Sequence, residues 1–192
     1  MTVTVRLAAT ASRPALLLRP WEDGDADALI EAYRDPAVGR AKTLRVTNHA
    51  DARRWLDLER QGWADGHHLS FAVLMAAEDG RDEPVGYVVL KRPDPAGPRA
   101  EVGYWTMPRA RGRGVAPRAL EALTYWAFET FAAEGLEELE LLHQADNTAS
   151  CRVAEKGGFP FVRVLPPRPP KFPLDEHLHL RRAPALPGTG GA

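Results

Sequence analysis

Cysteine and lysine are scarce in this chain, and neither sign of charge is in excess. Its 192 residues include one cysteine, Cys151. A single thiol cannot close an internal disulfide, nor alone form a zinc site of the Cys-rich kind, and it fits a reducing compartment. Lysine and arginine number 25 against 26 aspartates and glutamates, a net charge of −1. That balance lacks the basic excess of a general nucleic-acid binder and the acidic excess of a solvating tail. The longest strongly apolar run, Phe71 to Ala77, falls far short of the ~20 residues of a membrane span. The first residues, MTVTVRLAATAS, carry one arginine and no adequate apolar stretch, which argues against a secretory signal. What is present is 44% hydrophobic residues, enough for a sizeable core in one domain. The expectation is a soluble, cytoplasmic globular protein without a nucleic-acid or membrane partner.

The front half reads as helices followed by a meander of strands, with no internal repeat. Residues 1–13 look like a loose leader, and Leu16 to Arg19 like a first strand. Ala26, Leu29, Ile30 and Tyr33 fall on one face of a helix over Ala26 to Arg34, which Asp35-Pro36 ends. A second helix is expected from about Asp51 to Gly62. Leu69–Ala76 and Pro84–Leu90, joined by a turn-rich link, read as an antiparallel hairpin. Ala100–Met107 is a further strand.

The back half reads as a βαβα unit and therefore predicts a parallel strand pair. Val115 to Glu134 has helical spacing, with Pro117 in its first turn and Gly135 as terminator. Leu136–His143 follows as a strand, although its Glu and Leu pairs also suit a helix. Asn147 caps a short helix that ends at Gly157-Gly158. Five prolines between Pro166 and Pro173 exclude regular structure there. Asp175–Arg182 forms a last strand, and 183–192 reads as a tail.

Two segments carry chemistry. Arg109-Ala110-Arg111-Gly112-Arg113-Gly114-Val115-Ala116 lies between a strand and the start of the long helix. Unpaired N–H groups at a helix N-terminus favour an anion, and the two glycines let backbone approach it. The three arginines add charge for a phosphorylated group. No Lys-Ser/Thr pair follows as in a P-loop, and Pro117 stands where a dinucleotide fingerprint needs its third glycine. The second segment is Asn147-Thr148-Ala149-Ser150-Cys151-Arg152-Val153-Ala154-Glu155-Lys156-Gly157-Gly158-Phe159. Taken singly, its residues are a cap, core positions and a helix stop.

Together, EVGYWTMPRARGRGVA and NTASCRVAEKGGF resemble the GCN5-related N-acetyltransferase superfamily, and within it the ribosomal-protein alanine N-acetyltransferase-like branch. The resemblance covers roughly residues 14–182, the expected domain, leaving 1–13 and 183–192 as flexible tails. It implies an α+β fold: a mixed, mostly antiparallel sheet with a splayed central parallel strand pair, flanked by helices. It also implies acetyl-CoA as co-substrate, no metal, and direct acetyl transfer to a primary amine on a protein N-terminus or a small molecule. A homodimer is common in the family.

The resemblance assigns the CoA pyrophosphate to Arg109, Arg111, Gly112, Arg113, Gly114, Val115 and Ala116. Backbone around Trp105, Thr106 and Met107 would hold the pantetheine arm and polarise the thioester carbonyl. Asn147, Ser150 and Arg152 belong to the second motif. Glu101 is the candidate base, which burial in the cleft would make useful near neutral pH. Many members carry a tyrosine seven residues after the asparagine; here that position is Ala154. Ser150 and, second to it, Tyr104 are the substitute acids. Cys151 is not expected as a nucleophile, since no histidine is set to activate it. The pairs His67-His68 and His177/His179 lack a third ligand at metal spacing. The acceptor is expected between the N-terminal helices and the Pro166–Pro173 loop, where Arg40, Lys42 and Arg45 place positive charge. Two other readings stay open: a silent acyl-CoA sensor of the same fold, and a nucleotide-phosphate-binding module.

Overall fold

The computed structural model describes residues 3–39, 44–77, 80–169 and 172–184. Arg40, Lys42 and residues 185–192 lie outside them, and Arg45 is exposed. The elements run β1 (Val5–Leu7), β2 (Leu16–Arg19), α1 (Ala26–Tyr33), α2 (Pro36–Gly39), α3 (His49–Asp65), β3 (His68–Ala76), β4 (Asp82–Lys91), β5 (Arg99–Thr106), α4 (Val115–Phe131), β6 (Glu138–Gln144), α5 (Thr148–Lys156), β7 (Phe161–Leu165) and β8 (Glu176–Arg182). Among the described residues they form one eight-stranded sheet, ordered β1-β2-β3-β4-β5-β6-β8-β7. Only β5 and β6 pair in parallel there. The mixed sheet flanked by helices is the architecture expected. No helix among the described residues is long and apolar enough to cross a membrane.

Local chemistry accounts for most boundaries. The β3–β4 hairpin forms as expected, with a bulge between Val73 and Leu74 opposite Pro84. Proline has no ladder donor, and the bulge is where a strand tolerates it. α1 stops at Tyr33, two residues short of Pro36, and Pro36 itself begins α2, because its fixed φ suits a first helical position; Asp35 caps that turn by accepting from the Ala37 N–H at 2.9 Å. Gly66 and Gly135 stop their helices in the left-handed region, with φ of 71° and 82°.

Both faces of β3 and β4 are buried, which explains their near-continuous apolar runs. On one face Phe71, Leu90 and Val102 pack with Leu120 and Leu123 of α4. On the other, Trp21, Trp55, Tyr87, Trp105 and Met107 pack beneath α1 and α3. Tyr87 and Trp105 stack in parallel planes, ring centroids 5.6 Å apart.

Two expectations need correction. The loose leader of residues 1–13 contains β1, paired antiparallel with β2 through Val5↔Leu18 and Leu7↔Leu16. Its anchor is Arg118, on the first turns of α4 and only 8% exposed. That guanidinium donates to Ala8 O at 2.8 Å and to Pro14 O at 2.5 Å. Burial pushes the Arg118 pKa below the ordinary guanidinium value, with repulsion from Arg13 adding to it. The second correction is β7, which falls in a stretch not read as a strand. Phe161, Val162 and Val164 are all exposed, so no alternation of burial betrays it. The proline-rich stretch holds no strand among the described residues, only an Arg168↔Phe172 bridge.

Arg118→Ala leaves two carbonyls without their donor. We expect a loss of about 1–3 kcal/mol in urea denaturation, with early proteolysis confined to the first fourteen residues.

Candidate functional site

The site begins where a sheet stops being a sheet. β5 and β6 pair from Arg99↔Glu138 to Val102↔Leu141 and no further. Past that point β5 stays bound to β4 as far as Thr106↔Gly86, and β6 to β8 as far as Gln144↔Glu176. Each strand follows its outer neighbour, so a wedge opens between Gly103–Thr106 and Leu142–Gln144. The Tyr87–Trp105 stack and the hydrogen bond from Met107 N to Val85 O, at 2.9 Å, hold the β5 side. Backbone groups on the wedge's inner edges have no sheet partner among the described residues. Unpaired edges of this kind accept an extended ligand as an extra strand. On the same strand, Trp105 Nε1 and Thr106 Oγ1 are buried without a hydrogen-bond partner among the described residues.

The glycine-rich loop borders the open end of the wedge on the β5 side. After a 3-10 turn at Pro108–Ala110, Gly112 and Gly114 take φ of 75° and 73°, and α4 starts at Val115. Any side chain in that region is strained. Gly114 caps α4 without a side-chain hydrogen bond, leaving the first-turn N–H groups for an anion.

The three loop arginines divide. Arg109 donates to Glu31 at 2.9 Å, to Pro84 O at 3.1 Å and to Met107 Sδ at 2.7 Å, with Glu83 at 3.4 Å. Arg111 donates to Thr106 O at 3.1 Å and pairs with Asp35. These two tie the loop to α1, to the residue before α2 and to β4. Arg113 is exposed and makes no ion pair among the described residues. Sequence reading missed Arg13: a Cβ at Gly114 would lie 3.4 Å from its Nε. The folded leader brings that cation to the loop.

On the β6 side of the same opening, Asn147 Oδ1 accepts from Ser150 N at 3.2 Å and caps α5. Arg152 is exposed on the following turn. Tyr104 and Ser150, two separate candidates in the sequence, meet across the wedge: Tyr104 Oη donates to Ser150 Oγ at 2.9 Å. Burial pushes the Tyr104 phenol above its ordinary value, partly offset by the Ser150 hydrogen bond. Ala154 is fully buried and offers no hydroxyl.

Glu101 lies on β5 before the wedge, its side chain 38% exposed and paired with Lys91 at 2.5 Å. The burial on which its role as base was to rest is therefore missing. Cys151 also differs from expectation: His177 Nδ1 stands 3.3 Å from its Sγ. The two residues are 26 apart on α5 and β8, a separation no local motif spans.

Residues 15–160 match the Acetyltransferase (GNAT) domain family. The uncharacterized N-acetyltransferase p20 of Bacillus licheniformis is 26% identical over 147 residues, spanning 75% of this chain and 78% of that protein. RimJ of Mycobacterium smegmatis, solved in complex with a CoA disulfide, superposes with a TM-score of 0.76 at 23% identity, covering 97% of this chain and 89% of that one. RimL, a ribosomal alpha-N-protein acetyltransferase solved in complex with coenzyme A, gives a TM-score of 0.75 at 17% identity, with 93% and 98% covered.

Gly112→Val and Gly114→Val each force a branched side chain into the left-handed region, at a local cost of about 1–2 kcal/mol. Calorimetry should show coenzyme A binding weakened about tenfold or more by either change. Unchanged affinity would remove the loop from the site.

Proposed function

This chain belongs to the acetyltransferase (GNAT) family and is an acyl-CoA-dependent N-acetyltransferase; from that premise we propose that it transfers acetyl directly from acetyl-CoA to a primary amine, on a protein N-terminus or a small molecule. The observation that carries the reading is the β5–β6 wedge, bounded by an uncapped helix N-terminus and crossed by the Tyr104–Ser150 hydrogen bond. Acetyl-CoA, when bound, supplies an activated acyl thioester.

The chain's residues divide the work by position. The α4 N-terminus and the glycines of the loop would receive the pyrophosphate, with Arg113 and Arg13 as nearby cations. Arg109 and Arg111 hold the loop in shape through their carboxylate and carbonyl partners. The free edge of β5 from Gly103 to Thr106 would pair with the pantetheine amides, and a backbone N–H around Trp105–Met107 would polarise the acyl carbonyl. Asn147 and Arg152 flank the arm from the α5 side.

A departing thiolate needs a proton. The Tyr104 phenol, protonated at neutral pH like any phenol and pushed further up by burial, supplies it directly or by way of Ser150 Oγ. This pair provides the hydroxyl that Ala154 lacks. Glu101 remains the proposed base for the amine, working through water from the β5 edge rather than from a buried cleft. A cytoplasmic location goes with this reading. So does a homodimer, for which exposed Phe161, Val162 and Val164 on edge strand β7 supply apolar surface.

The reading is tested first by thermal-shift titration with acetyl-CoA, CoA, ATP and NAD, where a native-state ligand raises the melting temperature. Acetyl-CoA and CoA should raise it and the nucleotides should not; displacement of CoA by ATP would favour a nucleotide-binding module instead. Tyr104→Phe should then lower kcat by about 100-fold, within the range of a lost general acid, with the acetyl-CoA thermal shift retained. An unchanged kcat in that variant would assign protonation of the thiolate elsewhere.

A further inference from the structure

Three histidines and the one cysteine, scattered between positions 143 and 179, converge on one face of the sheet. His143 and His177 are direct cross-strand partners on β6 and β8, and His179 follows two residues along β8 on the same face. Cys151 reaches them from α5 above. One candidate ligand atom from each of the four lies within 4.8 Å of every other. His179 is 1% exposed and His143 9%, while Cys151 and His177 are half-buried and leave an entry path.

The protons of this cluster do not balance among its own members. His143 Nδ1 faces Gln144 O at 2.8 Å, and His179 Nδ1 faces Phe159 O at 3.1 Å. A carbonyl oxygen only accepts, so each Nδ1 carries the ring hydrogen. In the neutral rings both Nε2 atoms are then bare lone pairs, and they face each other at 3.2 Å. Two acceptors at that distance repel unless one ring takes a second proton or a metal ion lies between them.

A tetrahedral zinc ion, with about 2.0–2.1 Å to each imidazole nitrogen, holds two of them roughly 3.3–3.4 Å apart. The Cys151 Sγ–His177 Nδ1 pair, at 3.3 Å, supplies a thiolate and a third imidazole on the open side. The backbone acceptors behind His143 and His179 are also the outer partners that orient metal-bound imidazoles.

We propose that His143, Cys151, His177 and His179 form a tetrahedral metal site of three imidazoles and one thiolate, suited to Zn2+ and closed to Mg2+ and Ca2+. Imidazole and thiolate donors without carboxylate disfavour magnesium and calcium. Binding forms a bond from the metal to Cys151 Sγ and releases the thiol proton to solvent, while the histidines bind through neutral nitrogens. The site ties β6, β8 and the first turn of α5 together. That turn carries Ser150, so occupancy fixes the hydroxyl that faces Tyr104.

Cobalt, a spectroscopic stand-in for zinc, tests this on the full-length protein without any substrate. One equivalent of Co2+ should give the intense visible bands of tetrahedral cobalt and a near-ultraviolet thiolate charge-transfer band, with Zn2+ displacing both. Cys151→Ser should remove the charge-transfer band. His177→Ala should weaken Zn2+ at least tenfold in competition with a chelating dye. These two positions are half-buried and tolerate change better than His179, and circular dichroism checks that each variant is folded. A wild-type spectrum like that of aqueous cobalt overturns the proposal without recourse to a variant, as does a charge-transfer band that survives Cys151→Ser. Neither result bears on acetyl transfer, because the readout is the metal's own spectrum.

Discussion

Past Val102 and Leu141 the two parallel strands stop pairing, and the backbone groups left open on their inner edges set the terms for everything around them. An unpaired peptide group is tolerable only where water or a ligand can meet it. The wedge persists because each strand is committed to its other neighbour: β5 to β4 as far as Thr106, β6 to β8 as far as Gln144. Trp105 stacked on Tyr87 draws the β5 edge toward the aromatic core under α1 and α3. The chain then leaves β5 through the glycine turn into α4 and leaves β6 through Asn147 into α5. Both helix N-termini consequently lie at the open end of the wedge, the arrangement an anionic, strand-like co-substrate requires.

The polar groups around this opening separate into those that hold the frame and those left for a ligand. Arg109 and Arg111 carry the loop's strongest contacts, with Glu31, Asp35 and the carbonyls of Pro84 and Thr106. Exposed ion pairs contribute little stability singly; here their effect is on the position of the loop. The Lys91–Glu101 pair is of the same exposed sort. By contrast, the Tyr104–Ser150 contact is shielded, and the same burial pushes the phenol pKa above its ordinary value.

Much of the fold was legible because it is local. The β3–β4 hairpin, the amphipathic α4, the glycine loop and the asparagine-capped α5 all follow from spacing, turn chemistry and capping, and each forms close to its expected limits. The misses share a physical cause. Strand β1 has three residues and depends on Arg118, more than a hundred positions away. Strand β7 exposes nearly every side chain, so it lacks the alternation by which strands are recognised. Glu101 was expected in a cleft, and its register opposite Lys91 across β4 instead leaves it partly solvated.

The order of residues along the chain was enough to assign the class of the protein. Two motifs about 35 residues apart define a strand, a phosphate-type loop, a helix and a capped second helix, and hence the acyl-CoA architecture. Which side chains meet was settled only once the chain had folded. Crossover connections bring together groups whose distance along the chain carries no signal: Tyr104 with Ser150, Arg13 with Gly114, and His143 and Cys151 with His177 and His179. Hydrogen bonds and metal coordination act over about 3 Å in space, and only the sheet order, which places β8 between β6 and β7, turns those sequence separations into contacts.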